Sequence, residues 1–397
     1  MKKWKKIFAL AVFALAVTLA AKSNTAAAAQ ITGVKQTDAS TGSVKISWDA
    51  ALASERYVVE VSDDMKNWYP KEDTSSTETR LAGLTAGKTY YVRVTGYKDW
   101  SIVLDKGILV NEASIPVDVV TVPEVKNISV AQSEAFTNSF SVKFSGAEDS
   151  GANFYQVYLN DTVVGESDSP VISVSGSFLP GSKYWCETYA CRRSSSGFVA
   201  KGSAVYSYYK TLSEKLGINS FHISNMLWNI NVAYFDVVNS NDVDGYQMQF
   251  LNAAGKEKKT FTQTSPDFRV ENFMLGTFYQ YRARTFVECG SEKVYSEWSG
   301  CRYIGIPKKV AVKKGSSLKI NWGKVSGASK FVVKVSTSQN SGYKTVKTVS
   351  ADKRSVTVKK FKNKKIQKTK RYYIRIYAQA VVGGKTVTTE LPWEGSC

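Results

Sequence analysis

Four short segments with alternating apolar residues, each ending in an aromatic residue, recur along this chain of 397 residues. They read SVKISW, FSVKF, INVAYF and SLKINW, and they end at Trp48, Phe144, Phe235 and Trp322. The steps between these aromatic residues are 96, 91 and 87 residues. A nearly fixed period of this length is the sequence signature of one structural unit that is used several times. The chain is therefore constrained to a series of similar units.

Two further landmarks recur inside each unit. The first is an aromatic residue that opens another alternating segment, 9, 11, 11 and 9 residues downstream: Tyr57, Tyr155, Tyr246 and Phe331. The second is a tyrosine that follows a tight turn and opens a third segment: Tyr90, Tyr184, Tyr279 and Tyr372. Alternation with a period of two is typical of strands that bury one face. Several such strands in each unit predict a sandwich of two antiparallel sheets.

Taken together, these landmarks resemble fibronectin type III domains. The strand-B Trp, the strand-C Tyr and the passage LTAGKTYYVRV into strand F carry the resemblance, which covers nearly all of the chain after residue 29. The second unit departs from the pattern, with Phe144 for the tryptophan and with Cys186 and Thr188 where aliphatic residues are expected. The resemblance implies an all-β fold of four tandem fibronectin type III-like sandwiches, of a bacterial secreted or surface type. The predicted bounds are a signal peptide at 1–29 and four repeats at 30–122, 123–213, 214–306 and 307–397.

The first 29 residues have the layout of a cleaved secretory signal peptide. Four lysines lie among the first six residues, an apolar segment covers residues 7–21, and three alanines at 27–29 supply a cleavage site. The alternative is a membrane anchor that stays attached, but the 15 apolar residues at about 1.5 Å each are shorter than a hydrocarbon core of about 30 Å. We therefore expect a secreted chain that begins at Gln30 and contains no integral membrane segment. It is either soluble or held on the cell surface.

Positive charge is concentrated at the C-terminal end of the chain. The formal net charge is +19 at pH 7, and residues 307–397 hold 22 basic and 3 acidic residues, so that 22 − 3 = +19. Residues 30–306 hold 26 basic and 31 acidic residues, a net charge of −5. A weakly acidic body with one strongly basic repeat suggests that this repeat meets a polyanion.

The densest basic segment is KKFKNKKIQKTKR at residues 359–371. We expect Phe361 to end strand E, residues 362–371 to form a loop, and Tyr372 to open strand F. The candidate polyanion-binding residues are Lys359, Lys360, Lys362, Lys364, Lys365, Lys368, Lys370 and Arg371. Because an exported protein meets other polyanions before nucleic acid, we expect an anionic cell-wall polymer or glycan, or a surface protein, as the partner. The alternative is a lysine-rich surface that only keeps the chain soluble.

The third repeat contains Tyr295-Ser-Glu-Trp298-Ser, which resembles the W-S-x-W-S signature of cytokine-receptor fibronectin domains. In that family, arginines on strand F interleave with the aromatic rings, and the matching residues here are Arg282 and Arg284. The resemblance therefore implies a cation–π ladder of these four residues. It is either a ligand site or a structural element that closes the F–G edge. We favour the structural role, because the bacterial-type export signal makes receptor function a poor inference and a shared fold does not imply a shared function.

Residues that carry chemistry are sparse. Cys289 and Cys301 flank the expected F–G hairpin of the third repeat and are candidates for a disulfide in an oxidising exterior. The single histidine, His222, has no catalytic pattern around it, and the acid-rich segment NSNDVDG at 239–245 is expected to be a turn rather than a calcium site. The sequence contains no G-x-S-x-G, HExxH, CxxC or glycine-rich phosphate motif. We therefore expect no enzyme activity, no cofactor and no metal.

These features favour a non-enzymatic binding or scaffold protein for adhesion or spacing, retained by its basic fourth repeat. The alternative is an accessory glycan-binding protein of extracellular polysaccharide breakdown. Exposed aromatic platforms on the sheet faces would favour that alternative.

Overall fold

The computed structural model describes residues 28–101, 106–227, 232–238, 241–271 and 275–397. The predicted signal peptide at 1–29 lies outside the described residues except for its last two alanines. Within the described ranges, every regular element is a β-strand apart from one 3-10 turn, Glu148–Ser150. The strands recur as sets that each form two sheets, so the prediction of an all-β fold of repeated sandwiches is confirmed.

The first repeat forms two antiparallel sheets. Its strands are β1 (Lys35–Ala39), β2 (Ser43–Ser47), β3 (Arg56–Ser62), β4 (Tyr69–Thr74), β5 (Glu78–Ala82), β6 (Thr89–Ser101), β7 (Lys106–Asn111) and β8 (Val117–Val120). The smaller sheet has the order β1-β2-β5, and the larger has the order β4-β3-β6-β7, with β8 also pairing β6. Alternating residues of β2 and β3 enter one core, in which Trp48 and Tyr57 meet edge to face with ring centroids 5.4 Å apart. The aromatic pair read from the sequence is thus a core contact.

The second repeat has the same strand order. Its strands are β9 (Ser129–Ala135), β10 (Ser139–Ser145), β11 (Phe154–Leu159), β12 (Thr162–Ser167), β13 (Val171–Ser175), β14 (Lys183–Arg193), β15 (Val199–Lys201) and β16 (Val205–Lys210). The sheet orders are β13-β10-β9 and β12-β11-β14-β15, with β16 also pairing β14. Phe144 replaces the expected tryptophan and still contacts Tyr155, with ring centroids 4.8 Å apart. The substitution therefore keeps the aromatic contact of the repeat.

The third repeat packs an aromatic core. Its strands are β17 (Phe221–Leu227), β18 (Val232–Val237), β19 (Gly245–Asn252), β20 (Glu257–Gln263), β21 (Asp267–Glu271), β22 (Tyr279–Cys289), β23 (Glu292–Tyr295) and β24 (Arg302–Ile304). The sheet orders are β17-β18-β21 and β20-β19-β22-β23, with β24 also pairing β22. Phe235 contacts Phe250 and Tyr281 at centroid distances of 5.4 and 5.1 Å. As in the other repeats, strand G is divided, because β23 and β24 pair with different parts of β22.

The fourth repeat repeats the geometry of the first. Its strands are β25 (Ala311–Lys314), β26 (Leu318–Asn321), β27 (Lys330–Ser336), β28 (Lys344–Ser350), β29 (Ser355–Val358), β30 (Lys360–Phe361), β31 (Lys364–Lys365), β32 (Tyr373–Val382), β33 (Lys385–Thr388) and β34 (Trp393–Ser396). The sheet orders are β25-β26-β29 and β28-β27-β32-β33, with β34 also pairing β32. Trp322 and Phe331 meet at 5.4 Å and 67°, the values found for the aromatic pair of the first repeat.

The tyrosine that follows the tight turn has the same role in three repeats. The hydroxyl oxygens of Tyr90, Tyr184 and Tyr372 accept hydrogen bonds from backbone N–H groups five residues upstream, at 2.9, 2.7 and 3.2 Å. This is the tyrosine corner of immunoglobulin-like sandwiches, which fixes the entry into strand F. The recurrence of the third landmark therefore has a direct structural cause.

The chain divides into two compact units. The first comprises the described residues of Met1–Val130, Lys143–Ile172 and Cys186–Ser207, and the second comprises those of Ala131–Val142, Ser173–Trp185 and Tyr208–Cys397. The first repeat thus lies in the first unit, the third and fourth repeats lie in the second, and the strands of the second repeat are divided between both. The four predicted repeat boundaries stay predictions.

Within the second unit, the third and fourth repeats share side chains. Phe278 precedes β22 of the third repeat and is fully buried in the core of the fourth. Glu390 of the fourth repeat accepts a hydrogen bond from Arg302 Nε at 2.9 Å and another from the Tyr281 hydroxyl. Trp393 packs against the cores of both repeats. These contacts join the two repeats into one packed body.

Candidate functional site

The lysine-rich segment at residues 359–371, called the lysine hairpin below, contains a small hairpin followed by a turn that leads into strand F. Lys360–Phe361 pairs with Lys364–Lys365, and the turn residues Lys362 and Asn363 have φ values of 48° and 64°. Positive φ at both central residues is the requirement of a type I′ turn. The Ile366 N–H also donates to the Lys359 carbonyl oxygen at 3.2 Å. The segment therefore has a defined backbone conformation.

Three buried side chains anchor this hairpin to the core of the fourth repeat: Phe361, Ile366 and Tyr372. Their exposed fractions are 7%, 6% and 3%, and the rings of Phe361 and Tyr372 lie 6.4 Å apart. The prediction that Phe361 ends strand E is wrong, because β29 ends at Val358 and Phe361 belongs to the separate strand β30. The reason is that Phe361 enters the core from the hairpin, which gives it the burial expected of a strand residue.

All eight candidate polyanion-binding side chains are exposed: Lys359, Lys360, Lys362, Lys364, Lys365, Lys368, Lys370 and Arg371. Two of them make weak aromatic contacts, with Lys362 Nζ 5.6 Å from the Phe361 centroid and the Arg371 guanidinium 5.5 Å from the Tyr373 centroid. Among the described residues, none of the eight forms an ion pair. The structure therefore presents these cations to solvent on one anchored segment.

The three acids of the fourth repeat are engaged elsewhere. Glu390 pairs with Arg302 of the third repeat, and Glu394 Oε1 lies 2.6 Å from Arg375 Nε. Asp352 accepts a hydrogen bond from the Ser350 hydroxyl, which lowers the pKa of its carboxyl group below the usual value. Local carboxylates thus leave the charge of the hairpin unneutralised.

The four predicted ladder residues of the third repeat come together. The Arg284 guanidinium lies 3.9 Å from the centroid of the Tyr295 ring and 4.2 Å from that of Trp298, and Arg282 lies 4.5 Å from Trp298. Pairing of β19 with β22 sets Gln249 opposite Arg282, and Arg282 Nε donates to the Gln249 side-chain oxygen at 2.8 Å. Partial burial lowers the pKa of Arg284. The structural role of the ladder stays a prediction.

The serines of the Y-S-E-W-S segment connect it to strand F. The Ala283 N–H donates to Ser299 Oγ at 2.9 Å, and the Thr285 N–H donates to Ser296 Oγ at 3.1 Å. Both serines are buried. These bonds satisfy strand-F backbone groups where β23 has ended, so the segment takes the place of a strand at this edge.

The predicted disulfide between Cys289 and Cys301 is wrong, because both thiols are free in the structure. Tyr281 pairs with Arg302, which sets Cys301 opposite Arg282, seven positions from Cys289 along β22. At about 3.3 Å per residue the two Cα atoms are about 20 Å apart, whereas a disulfide needs less than about 7 Å. Burial raises the pKa of Cys289 to about 11.

The remaining chemistry-bearing residues have structural partners. Asp244, from the segment at 239–245, binds Lys210 Nζ and accepts a hydrogen bond from the Glu288 N–H at 2.8 Å. His222 lies on β17 opposite Asp236 of β18. No group of three or more His, Cys, Asp or Glu side chains that could hold a metal ion occurs in the described ranges. In the same ranges, no helix is long and apolar enough to cross a membrane.

One aromatic pair was not identified from the sequence. Trp185 of β14 is 49% exposed and Tyr208 of β16 is 54% exposed, and their ring centroids lie 4.5 Å apart. Lys183 Nζ lies 4.4 Å from the centroid of the Tyr208 ring. The alternation along β14 and β16 was the available signal, since it places both rings away from the buried Cys186 and Tyr209.

Comparison with known proteins found similarity only among solved structures, because neither the protein-family models nor the curated proteins gave a match. The FN1–FN3 domains of chicken CNTN1 are 12% identical with a TM-score of 0.21, covering 93% of this chain and 98% of that one. Two fibronectin type III domains of chicken tenascin are 19% identical with a TM-score of 0.22, covering 46% and 99%. The sixth such domain of human fibronectin type III domain containing protein 3 is 20% identical with a TM-score of 0.22, covering 26% and 94%.

The strand order within each repeat shows the fold of the chain. Each repeat sets a three-stranded sheet beside a larger sheet in which the fourth strand pairs with the third, the third pairs with the long strand F, and strand F pairs with the two last strands of the repeat. The chain is thus built of repeated β-sandwich units, and the solved structures to which it is similar are fibronectin type III domains.

Proposed function

We propose that this chain is a secreted or cell-surface, non-enzymatic binding and scaffold protein whose basic fourth repeat retains it on an anionic wall polymer or glycan. The observation that supports the proposal is the anchored lysine hairpin with its eight exposed cations, none of which forms an ion pair with a described residue. A surface of this kind attracts a polyanion over about one Debye length, which is about 10 Å at 0.1 M salt. Retention should therefore weaken steeply as salt is added.

The first three repeats have a different role in this proposal. Residues 30–306 carry a net charge of −5, so the same polyanion does not attract them. Packed contacts such as those of Phe278 and Glu390 would transmit a fixed spacing from the anchored repeat to the rest of the second unit. Export is supported by the signal-peptide layout of residues 1–29. Adhesion or spacing at the cell surface is the function that fits these features.

The test keeps the full chain, since removal of the fourth repeat would uncover Phe278, which is 0% exposed. One variant replaces five hairpin lysines by glutamine: Lys362, Lys364, Lys365, Lys368 and Lys370. The matched control makes the same charge change at five exposed lysines of the first and third repeats: Lys66, Lys71, Lys88, Lys256 and Lys258. Each protein is incubated with isolated cell envelopes across a salt series. We expect wild type and control to bind at low salt and the hairpin variant to stay in solution; equal binding of all three would contradict the proposal.

A second candidate function is recognition of a glycan by exposed aromatic rings. Trp185 and Tyr208 support it, because exposed rings offer apolar faces beside a polar edge. Trp185→Ala should then weaken binding to a neutral polysaccharide with no change in salt dependence. Affinity gel electrophoresis in neutral polysaccharides measures this, and unchanged migration of the variant would exclude the pair.

A further inference from the structure

A groove of about 500 Å³ lies beside the lysine hairpin. Six residues line it: Val346, Lys347, Thr357, Val358, Lys359 and Lys360. They come from β28, from β29 and from the start of the lysine hairpin. β28 and β29 are each an edge strand of their sheet. The groove therefore runs along the open side of the sandwich, where edge strands have backbone groups with no partner strand. Its volume is within the range of about 300–1,000 Å³ that is usual for ligand clefts.

A β-bulge shapes the wall of this groove. Val333 pairs with Lys347 but the next residue of β27 pairs with Thr345, so Val346 is the extra residue on β28. Bulges bend a strand and re-aim a side chain. Val346 thereby becomes a half-buried apolar residue of the groove wall, with Lys347 beside it.

The same opening occurs in the first repeat with different chemistry. A bulge at Lys71 interrupts β4, and a cleft of about 300 Å³ there is lined by Lys71 and Gly83 together with Asp63. Strand register makes Glu72 the counterpart of Lys347, since they pair with Val59 and Val333. The sandwich fold thus produces an opening at this position in both repeats, whereas the cluster of lysines at the opening occurs in the fourth repeat.

The register also gives counterparts for the other two lysines. Leu81 pairs with Val44, and Val358 pairs with Leu318 at the matching position of strand B. Lys359 and Lys360 therefore correspond to Ala82 and Gly83. Three positions that hold one acid and no base in the first repeat hold three ammonium groups in the fourth.

We propose that this groove seats a linear anionic polysaccharide whose sugar units carry carboxylate or sulfate groups. The inference rests on the proposed function of the fourth repeat and names the ligand class and its seat. Charge complementarity comes from Lys347, Lys359 and Lys360, while Val346 offers an apolar contact to a sugar ring and Thr357 offers a hydroxyl for hydrogen bonding. A polyphosphate chain has no apolar face for the valine wall, so the polysaccharide fits the lining better. Lys359 and Lys360 belong to both the groove lining and the lysine hairpin, so the same polysaccharide could contact both.

The test compares two triple variants of the full chain with the same change in charge. The groove variant is Lys347→Gln, Lys359→Gln, Lys360→Gln. The control is Lys313→Gln, Lys324→Gln, Lys385→Gln, at exposed lysines of the same repeat outside the groove lining. Binding to polygalacturonate, dextran sulfate and inorganic polyphosphate is measured at about 0.1 M salt, and a melting curve shows that each variant is folded.

We expect the groove variant to lose about tenfold in affinity for at least one of the two polysaccharides and the control to lose about twofold, because close ion pairs matter more than distant charges. The polygalacturonate and dextran sulfate arms then distinguish carboxylate from sulfate recognition. Equal losses in both variants would overturn the groove and leave the proposed retention standing. If polyphosphate binds as tightly as the polysaccharides and loses as much affinity in the groove variant, the polysaccharide assignment is overturned. A wild-type chain that binds none of the three polymers would end the groove inference together with the proposed function.

Discussion

Replacement of Glu390 by alanine removes the acid that joins the third and fourth repeats. The side chains of Glu390 and Arg302 are 22% and 21% exposed, and Tyr281, whose hydroxyl also donates to Glu390, is fully buried. Burial is the main cause that raises the pKa of Tyr281, and the Glu390 carboxylate is the second. The phenol therefore stays a hydrogen-bond donor at every physiological pH. The alanine variant leaves that hydroxyl and one guanidinium edge with no acceptor.

The size of the effect follows from these contacts. Loss of one partner from a buried ion pair costs about 3–5 kcal/mol in the free energy of unfolding. The pair is partly exposed, and Arg302 keeps the carbonyl oxygens of Ile218 and Phe221, at 3.2 and 2.7 Å. We therefore expect a loss of about 2 kcal/mol. For a unit of roughly 150–250 residues this corresponds to a fall in Tm of about 4–8 °C.

Thermal unfolding of the full chain measures this difference. The matched control is Glu394→Ala in the same repeat, because Glu394 also pairs with an arginine but is 49% exposed. An exposed pair contributes about 0–1 kcal/mol, so the control should melt close to the wild-type chain. Equal melting of the two variants would refute the conclusion that Glu390 stabilises the junction of the two repeats.

Three further predictions concern other parts of the chain. Arg282→Ala should lower Tm, because it removes one guanidinium from the Trp298 ring and so costs about 1–2 kcal/mol in the free energy of unfolding. The control Arg269→Ala, which removes one partner of an exposed ion pair, should leave Tm unchanged. Equal Tm values for the two variants would contradict a structural role of the ladder. Asp64 accepts backbone N–H bonds that lower its pKa far below 3.8, so Asp64→Ala should destabilise the chain at pH 7. That deficit should shrink as the pH falls below 3.8, because the Asp64 carboxyl group of the unfolded wild-type chain then takes up a proton while that of the folded chain stays ionised. A deficit that does not change with pH would contradict this prediction. Thiol labelling after unfolding without reductant should modify both Cys289 and Cys301. A mass gain of about 2 Da on reduction would show instead that the two cysteines form a disulfide.

Residue patterns predicted the fold because the features of a sandwich are local. Strand alternation, the aromatic residue of strand B and the tyrosine after the turn each act within a few residues, so the sequence displays them directly. The ladder was also readable, since Arg282 and Arg284 are two positions apart and must share one face of strand F. The hydrogen bond that the Tyr184 hydroxyl oxygen accepts from the Leu179 N–H shows how one position fixes both a sequence landmark and the conformation of the turn.

The errors arose where pairing between distant segments decides the outcome. The Cys289–Cys301 bridge failed because strand G of the third repeat is divided, and its second part pairs with the opposite end of strand F. Phe361 was assigned to strand E because a buried aromatic residue on a hairpin has the same pattern as one on a strand. Glu390 and Arg302 are 88 residues apart, and no local pattern brings an acid and a base together over that distance.

The measurement that most directly tests the central claim is the salt dependence of polygalacturonate binding by the full chain and by its five-lysine hairpin variant. We expect the logarithm of the wild-type association constant to fall steeply and linearly with the logarithm of salt concentration, because bound counterions are released. The hairpin variant should bind more weakly at low salt and give a clearly shallower slope, while the control variant from the first and third repeats keeps the wild-type slope. Identical slopes for all three proteins would show that the lysine hairpin does not hold the chain to polyanions and would contradict the proposed role of the fourth repeat.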